Sequence, residues 1–238
     1  MHTQRSQKYL WKLVLRLLTK PSISKPASLV KEAMSYNLPD YAILHSDKQT
    51  DYAVWQPDKT YIVLGRSNRI TDDSVYMEKA TEDGVEIYKR PSGGEAVVLS
   101  PDMLVISVKL PVENPLKTHQ YFRLINNSII DALHKSGISD VHQKGISDIS
   151  IGFKKILGSS IYRKEKTVFY HAVLNISGSV AIISRYLKHP SKEPDYRKGR
   201  DHAEFVTSLR QEGYNTALED LKKALAESLK ALVSLPPK

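Results

Sequence analysis

A basic pair and a Ser-Gly-Gly turn, Lys89-Arg90-Pro91-Ser92-Gly93-Gly94-Glu95, separate two strand-like runs, Val85-Glu86-Ile87-Tyr88 and Ala96-Val97-Val98-Leu99. The chain must reverse or cross between them. Ser-Gly and Gly-Gly are common turn dipeptides, so the plainest expectation is a hairpin. Glycine also lets a backbone approach a ligand closely and expose its N–H groups. Such groups beside Arg90 suit a carboxylate or a phosphate.

Punctuation along the rest of the chain predicts further elements. Tyr61-Ile62-Val63-Leu64-Gly65 reads as a strand closed by glycine, and Met103 to Leu110 as a strand ending at Pro111. Thr71 to Asp83 reads as a helix, with Asp72 or Asp73 as cap and Gly84 as stop. Tyr121, Phe122, Ile125, Ile129, Ala132 and Leu133 repeat at helical spacing within 117–137. Ile149 to Ile151 and Phe153 to Leu157 read as a hairpin around Gly152, Thr167 to Ile176 as a strand, and Val180 to Leu187 as a helix. Leu218, Leu221, Leu225, Leu229 and Leu232 line one face of a last helix, for which Thr216 and Glu219 form a capping box. Residues 19–27 read as a loop, and Pro26 opens a helix running through Leu29, Val30, Ala33 and Met34. The order is neither a βαβ series nor all-β. It predicts an α/β (α+β) fold with mixed or antiparallel sheets flanked by helices, in a single domain over 1–238.

The 238 residues are 41% hydrophobic, which is globular, and carry a formal net charge of +9. That charge favours acidic partners. The basic residues are scattered, so nothing reads as a nucleic-acid arm. There is no cysteine, which removes disulfides, thiolate metal ligands and a thiol nucleophile, and agrees with a reducing, cytoplasmic setting. Tyr9 to Leu18 is apolar but too short to span a membrane, and Lys12 and Arg16 interrupt it. It reads as a first strand or helix, not a membrane anchor.

A second constellation follows: Gly145-Ile146-Ser147-Asp148, then Lys155-Ile156-Leu157-Gly158-Ser159-Ser160, then Phe169-Tyr170-His171-Ala172. Each piece alone fits a turn, a solvated lysine or a core histidine. Their order behind Arg90-Pro91-Ser92-Gly93-Gly94, with Trp55-Gln56-Pro57 and Gly65-Arg66-Ser67-Asn68 upstream and Tyr196-Arg197-Lys198-Gly199-Arg200 and Phe205 to Leu209 downstream, resembles the lipoate–protein ligase family within the lipoate/biotin ligase and octanoyltransferase superfamily. The resemblance runs from about Trp55 to Leu209.

It implies a biotin/lipoate ligase-like catalytic domain that activates lipoate or octanoate with ATP and Mg²⁺. The acyl-adenylate would then be transferred to a lysine of an acidic lipoyl domain, in an E2 subunit or a glycine cleavage H protein. It implies Lys155 and Asp148 as catalytic residues, and Arg90, Ser92, Gly93, Gly94, Val97, Gly158, Ser159, Ser160 and His171 as substrate- and adenylate-binding ones. No metal ligand is expected in the protein. Little chain follows residue 232, so no C-terminal accessory domain is expected and a separate partner could supply its role. The chain departs from the family pattern at Glu95, Leu99, Ser147, Tyr170 and Ala172. A carboxylate at Glu95 would repel phosphate unless it turns away or pairs. An acyltransferase lacking a cysteine nucleophile and a silent homologue that binds lipoyl domains are the alternatives.

Overall fold

Strand signals and helix signals alternate irregularly along the chain, and the structure resolves them into two sheets. The computed structural model describes residues 33–69, 74–112 and 117–234. These fall in one compact unit, Glu32–Lys238. The elements are β1 (Met34–Ser35), α1 (Tyr41–His45), β2 (Asp51–Trp55), β3 (Tyr61–Leu64), α2 (Met77–Glu82), β4 (Glu86–Lys89), β5 (Val97–Leu99), β6 (Met103–Pro111), α3 (Thr118–Lys135), β7 (Val141–Lys144), β8 (Asp148–Ile151), β9 (Lys154–Lys164), β10 (Thr167–Asn175), α4 (Val180–Tyr186), α5 (His202–Phe205) and α6 (Leu218–Val233). A mixed four-stranded sheet has the order β1-β4-β3-β5, and an antiparallel six-stranded sheet the order β2-β6-β10-β9-β8-β7. This is the expected α+β class. No helix among the described residues is long and apolar enough to cross a membrane.

Alternation along the central strands divides the large sheet into two faces. Leu104, Ile106, Val108 and Leu110 of β6 and Tyr170, Ala172 and Leu174 of β10 form the main core with α3 and α6. The four leucines of α6 at 221, 225, 229 and 232 are buried in it. Burial of such a side chain contributes roughly 1.5–3 kcal/mol. The opposite face, through Val105 and Trp55, packs on Val63, Tyr88 and Leu99 of the small sheet. The other side of the small sheet is covered by α2 and α4, with Ile62, Leu64, Ile87 and Val98 against Ala80 and Tyr186. The seam between the sheets therefore has an apolar floor.

Four expectations are corrected. β4 and β5 do not pair as a hairpin. Each pairs with β3, in parallel and antiparallel respectively, because the Ser-Gly-Gly segment crosses over the end of β3. Met34 lies in β1 rather than a helix. The rest of that segment, the 9–18 stretch and the 19–27 loop lie outside the described residues, apart from Ala33. α2 starts at Met77 after Tyr76, not at Thr71, and Asp72 and Asp73 lie outside the described residues. The capping box is not formed. Ala217 is still extended (φ −64°, ψ 140°) and caps α6 itself, which leaves Thr216 one residue too early. Glu219 and Asp220 in the first turn complement the helix N-terminus instead.

Candidate active site

Cross-strand register brings distant residues onto one face of the large sheet. Ser107 of β6, His171 of β10 and Ser160 of β9 lie opposite one another in one row. Val173, Gly158 and Asp148 form the next row. Strand period two keeps Ser160 with Gly158 and His171 with Val173 on this face. Ser159, between the two β9 residues, falls on the opposite face by the same rule, and its hydroxyl donates to the Ser147 carbonyl at 2.6 Å. Through that bond Ser159 braces the turn before Asp148.

Lys155 and Gly158 are three residues apart, which in a regular strand puts them on opposite faces. The register of β8 against β9 shifts between Ile149 and Ser150, so that Ile149 opposes Leu157 and Ser150 opposes Lys155. This bulge adds one residue to β9 and turns Lys155 onto the face of Gly158. A Cβ on Gly158 would lie 2.6 Å from Lys155 Cε and 2.7 Å from Nζ. The missing side chain is the space the ammonium occupies. There Lys155 Nζ lies 2.9 Å from Asp148 Oδ1, with the lysine side chain 27% exposed and the carboxylate 7%. Tyr196 donates to Asp148 Oδ2 at 2.8 Å. Its phenol is held well above its ordinary pKa, by burial first and the Asp148 charge second. Both carboxylate oxygens are thus engaged, and the ammonium beside them is partly exposed.

The crossing segment is rigidly tied. Arg90 donates from Nε to Ser92 Oγ (3.0 Å), from Nη1 to the Val63 carbonyl (3.1 Å), and from Nη2 to the carbonyls of Gly93 and Glu95 (both 2.8 Å). Four of the five N–H donors of a guanidinium are directed to the loop and its strand. Burial lowers the Arg90 pKa to about 10, which leaves it cationic at neutral pH. These bonds make Arg90 a scaffold of the loop. Ser160 donates to the Gly93 carbonyl at 2.9 Å, joining the loop to β9. A Cβ on Gly65 would sit 1.9 Å from the Gly94 carbonyl oxygen, so β3 and the loop touch backbone to backbone. Val97 begins β5 and packs on the seam cluster.

Beneath the loop lies a buried polar chain. Ser92 Oγ accepts from Arg90 and is bonded to His171 Nε2. Donation of the Ser92 proton to that nitrogen matches His171 with its own proton on Nδ1, toward Asp40. Nδ1 faces Asp40 Oδ2 at 3.9 Å. The Asp40 carboxylate accepts from Tyr36 (2.6 Å) and Ser107 (2.8 Å). Burial, the largest cause, lowers the His171 pKa. His171 is therefore an internal brace under the loop. Asp40 and Tyr36 escaped sequence reading because no local pattern marks a lone Asp after Leu-Pro.

The Glu95 carboxylate turns away from this face. Its Oε1 accepts from the Ser191 hydroxyl and the Lys192 N–H, both at 3.2 Å, and its Oε2 from Asn68 at 3.4 Å. It thereby anchors the irregular strap between α4 and α5 that carries Tyr196. A cleft of about 230 Å³ is lined by the loop residues Pro91 and Gly93 with Ile161, Arg66 and Arg163. Its two guanidinium groups suit an anion. Among the described residues no three His, Asp or Glu side chains gather to hold a metal ion.

Sequence comparison with curated proteins finds no match. Among solved structures, the fold resembles a bi-partite lipoate protein ligase from Thermoplasma acidophilum, described with its E2 lipoyl domain (TM-score 0.70, 20% identity, 84% of this chain and 78% of that one). It also resembles a lipoate-protein ligase A bound with ATP (0.68, 18%, 84% and 85%) and the P. falciparum LipL1 in complex with lipoate (0.62, 19%, 77% and 49%). At these identities the likeness is one of fold. Residues 33–230, which include every site residue named above, match the lipoyl protein ligase A/B catalytic domain. The two-sheet fold and this match agree, and the chain belongs to the lipoyl protein ligase A/B catalytic domain family.

Proposed function

We propose that this protein is an ATP-dependent lipoate–protein ligase acting in the cytoplasm. The observation that carries the reading is the Lys155 ammonium, held 2.9 Å from Asp148 in the space left by Gly158. In the first step a carboxylate oxygen of lipoate or octanoate attacks the α-phosphorus of ATP, and pyrophosphate leaves. Both reactants are anionic. A preorganised cation at the face where they meet offsets their repulsion and stabilises the charge that develops on phosphorus. Lys155 is that cation, and Asp148 and Tyr196 limit the positions its long side chain can take. Arg66 and Arg163 line the cleft beside the Ser-Gly-Gly loop and would hold an anionic group there.

In the second step the acceptor amine attacks the acyl carbonyl and AMP leaves. A lysine amine has a pKa of about 10.4 and must lose a proton first. Asp148 would hold the incoming ammonium beside the carbonyl and draw that proton off. Mg²⁺ bound to the triphosphate would neutralise charge on the leaving pyrophosphate. A thioester route has no nucleophile, since the sequence contains no cysteine.

The test uses the purified protein, ATP, lipoate and an apo lipoyl domain, with the acceptor followed by mass. An ATP-dependent gain of one lipoyl group is expected, and Lys155→Ala should lower the rate by ~10²–10³-fold. The bi-partite relative supports a second arrangement, in which adenylation needs another chain. Gain only from preformed lipoyl-AMP would select it. Binding of the acceptor without gain from either donor would make the protein a lipoyl-domain-binding homologue.

A further inference from the structure

Glu95 ties together three parts of the fold. Its own carbonyl accepts from Arg90 Nη2 at 2.8 Å, which fixes the residue at its base in the Ser-Gly-Gly loop. Asn68 accepts the Gly65 N–H at 2.9 Å and donates to Glu95 Oε2 at 3.4 Å, which attaches the carboxylate to the end of β3. The other oxygen, Oε1, accepts from the Ser191 hydroxyl and the Lys192 N–H, both at 3.2 Å. One half-buried carboxylate thus spans the loop, the small sheet and the strap between α4 and α5.

The strap leans on that carboxylate. Its ends are held elsewhere: the Lys188 N–H donates to the Ser74 carbonyl at 3.0 Å, and Arg200 Nη2 to the Phe153 carbonyl at 3.1 Å. Between them, among the described residues, the hydrogen bonds that tie 189–195 to the rest of the fold are the two that Glu95 Oε1 accepts. The other bonds of this stretch stay inside the strap. The Arg197 N–H donates to the Pro194 carbonyl (2.8 Å), the Gly199 N–H to Glu193 Oε1 (2.8 Å) and Arg200 Nη2 to the Tyr196 carbonyl (3.0 Å). Internal bonds make the strap one piece, so a displacement at Ser191 and Lys192 is carried to Tyr196. The Tyr196 hydroxyl holds Asp148 Oδ2 at 2.8 Å, and Asp148 Oδ1 holds Lys155 at 2.9 Å.

We propose that Glu95 is a positioning residue: through the strap it sets where Tyr196 holds Asp148, and with it the Asp148–Lys155 pair. The rate readout of this proposal rests on the ligase reading, and a spectroscopic readout does not. Transfer from ATP and lipoate to an apo E2 lipoyl domain is compared for wild type, Glu95→Ala, Glu95→Gln, Tyr196→Phe and the double variant Glu95→Ala/Tyr196→Phe. Glu95→Ala and Tyr196→Phe should each lower kcat about tenfold, as small misplacements of a reacting group do, with no rise in the KM for ATP. Both act through one contact, so the double variant should stay within about threefold of the slower single variant instead of falling ~100-fold below wild type. Glu95→Gln keeps an acceptor oxygen for Ser191 and Lys192 and should hold kcat within about threefold of wild type. Wild-type kcat in Glu95→Ala, costs that multiply in the double variant, or a Glu95→Gln as slow as Glu95→Ala overturns the proposal. The second readout is fluorine NMR of protein labelled with 3-fluorotyrosine, with the Tyr196 resonance assigned by its loss in Tyr196→Phe. That resonance should shift in Glu95→Ala and keep its wild-type position in Glu95→Gln. A shift in a protein that transfers nothing sustains the positioning role while the ligase reading fails. An unchanged resonance in Glu95→Ala overturns the proposal at any rate of transfer.

Discussion

At the scale of single residues the centre depends on an absence. Gly158 has no side chain, and the space it leaves holds the end of Lys155. A methyl group there would not meet backbone. It would meet the flexible end of a lysine, which can swing out to solvent at little cost. Gly158→Ala should therefore leave thermal stability within about 2 °C of wild type, since replacing a strand glycine tends to favour the folded backbone by roughly 0.5–1 kcal/mol. It should nevertheless lower acyl transfer nearly as far as Lys155→Ala does. A thermal melt and a transfer assay on the same sample check both halves. A variant with wild-type turnover would show that the Lys155 position is not set by Gly158. The logic at Glu95 is similar in kind: its carboxylate is harmless to a phosphate because it is turned toward the N–H of Lys192 and the hydroxyl of Ser191.

At the scale of elements the decisive object is the loop that crosses β3. The Arg66 N–H donates to the Ser92 carbonyl (2.8 Å) and the Arg90 N–H to the Leu64 carbonyl (3.0 Å), which extends the β3–β4 ladder into the loop. Gly65 sits at that crossing. Gly65→Ala would drive a Cβ into the Gly94 carbonyl, and both partners are backbone. The expected loss is about 1–3 kcal/mol, a fall in melting temperature of several degrees at this chain length, together with loss of transfer. A melting temperature equal to wild type would mean that the loop can lift off β3. The strands themselves were legible in sequence, because branched runs such as Met103 to Leu110 and the glycine that closes 61–65 are local signals. Their partners were not. Nothing between Tyr88 and Val97 states that β3 lies between β4 and β5. The bulge was equally hidden: spacing alone puts Lys155 and Gly158 on opposite faces. The residues under the loop split the same way. Ser92 and His171 lie in patterned segments, whereas Asp40 is recruited only by the tertiary fold.

At the scale of the whole molecule the buried polar chain under the loop links the two sheets, and it makes stability depend on pH. His171 bridges Ser92, beyond the end of β4, to the Asp40 side of β10, and burial depresses its pKa. His202, whose Nε2 donates to the Lys188 carbonyl, is depressed by burial too. A histidine whose folded pKa lies below its unfolded value of about 6.5 binds a proton more readily when unfolded. Its contribution to stability is then complete above pH 6.5 and is lost as pH falls through the unfolded and then the folded pKa. Carboxylates with lowered pKa, such as Asp83 beside Arg185, act at lower pH. Between pH 7 and 5 unfolding free energy should therefore decline, with a limiting slope of roughly 1.4 kcal/mol per pH unit for each histidine that stays neutral. His171→Gln keeps a polar side chain that never protonates. It should lower stability at pH 7.5 and flatten the decline by up to that amount. Urea melts of both proteins across this range provide the measurement. Parallel curves would place the His171 pKa at its ordinary value and remove it from the buried chain that joins the sheets.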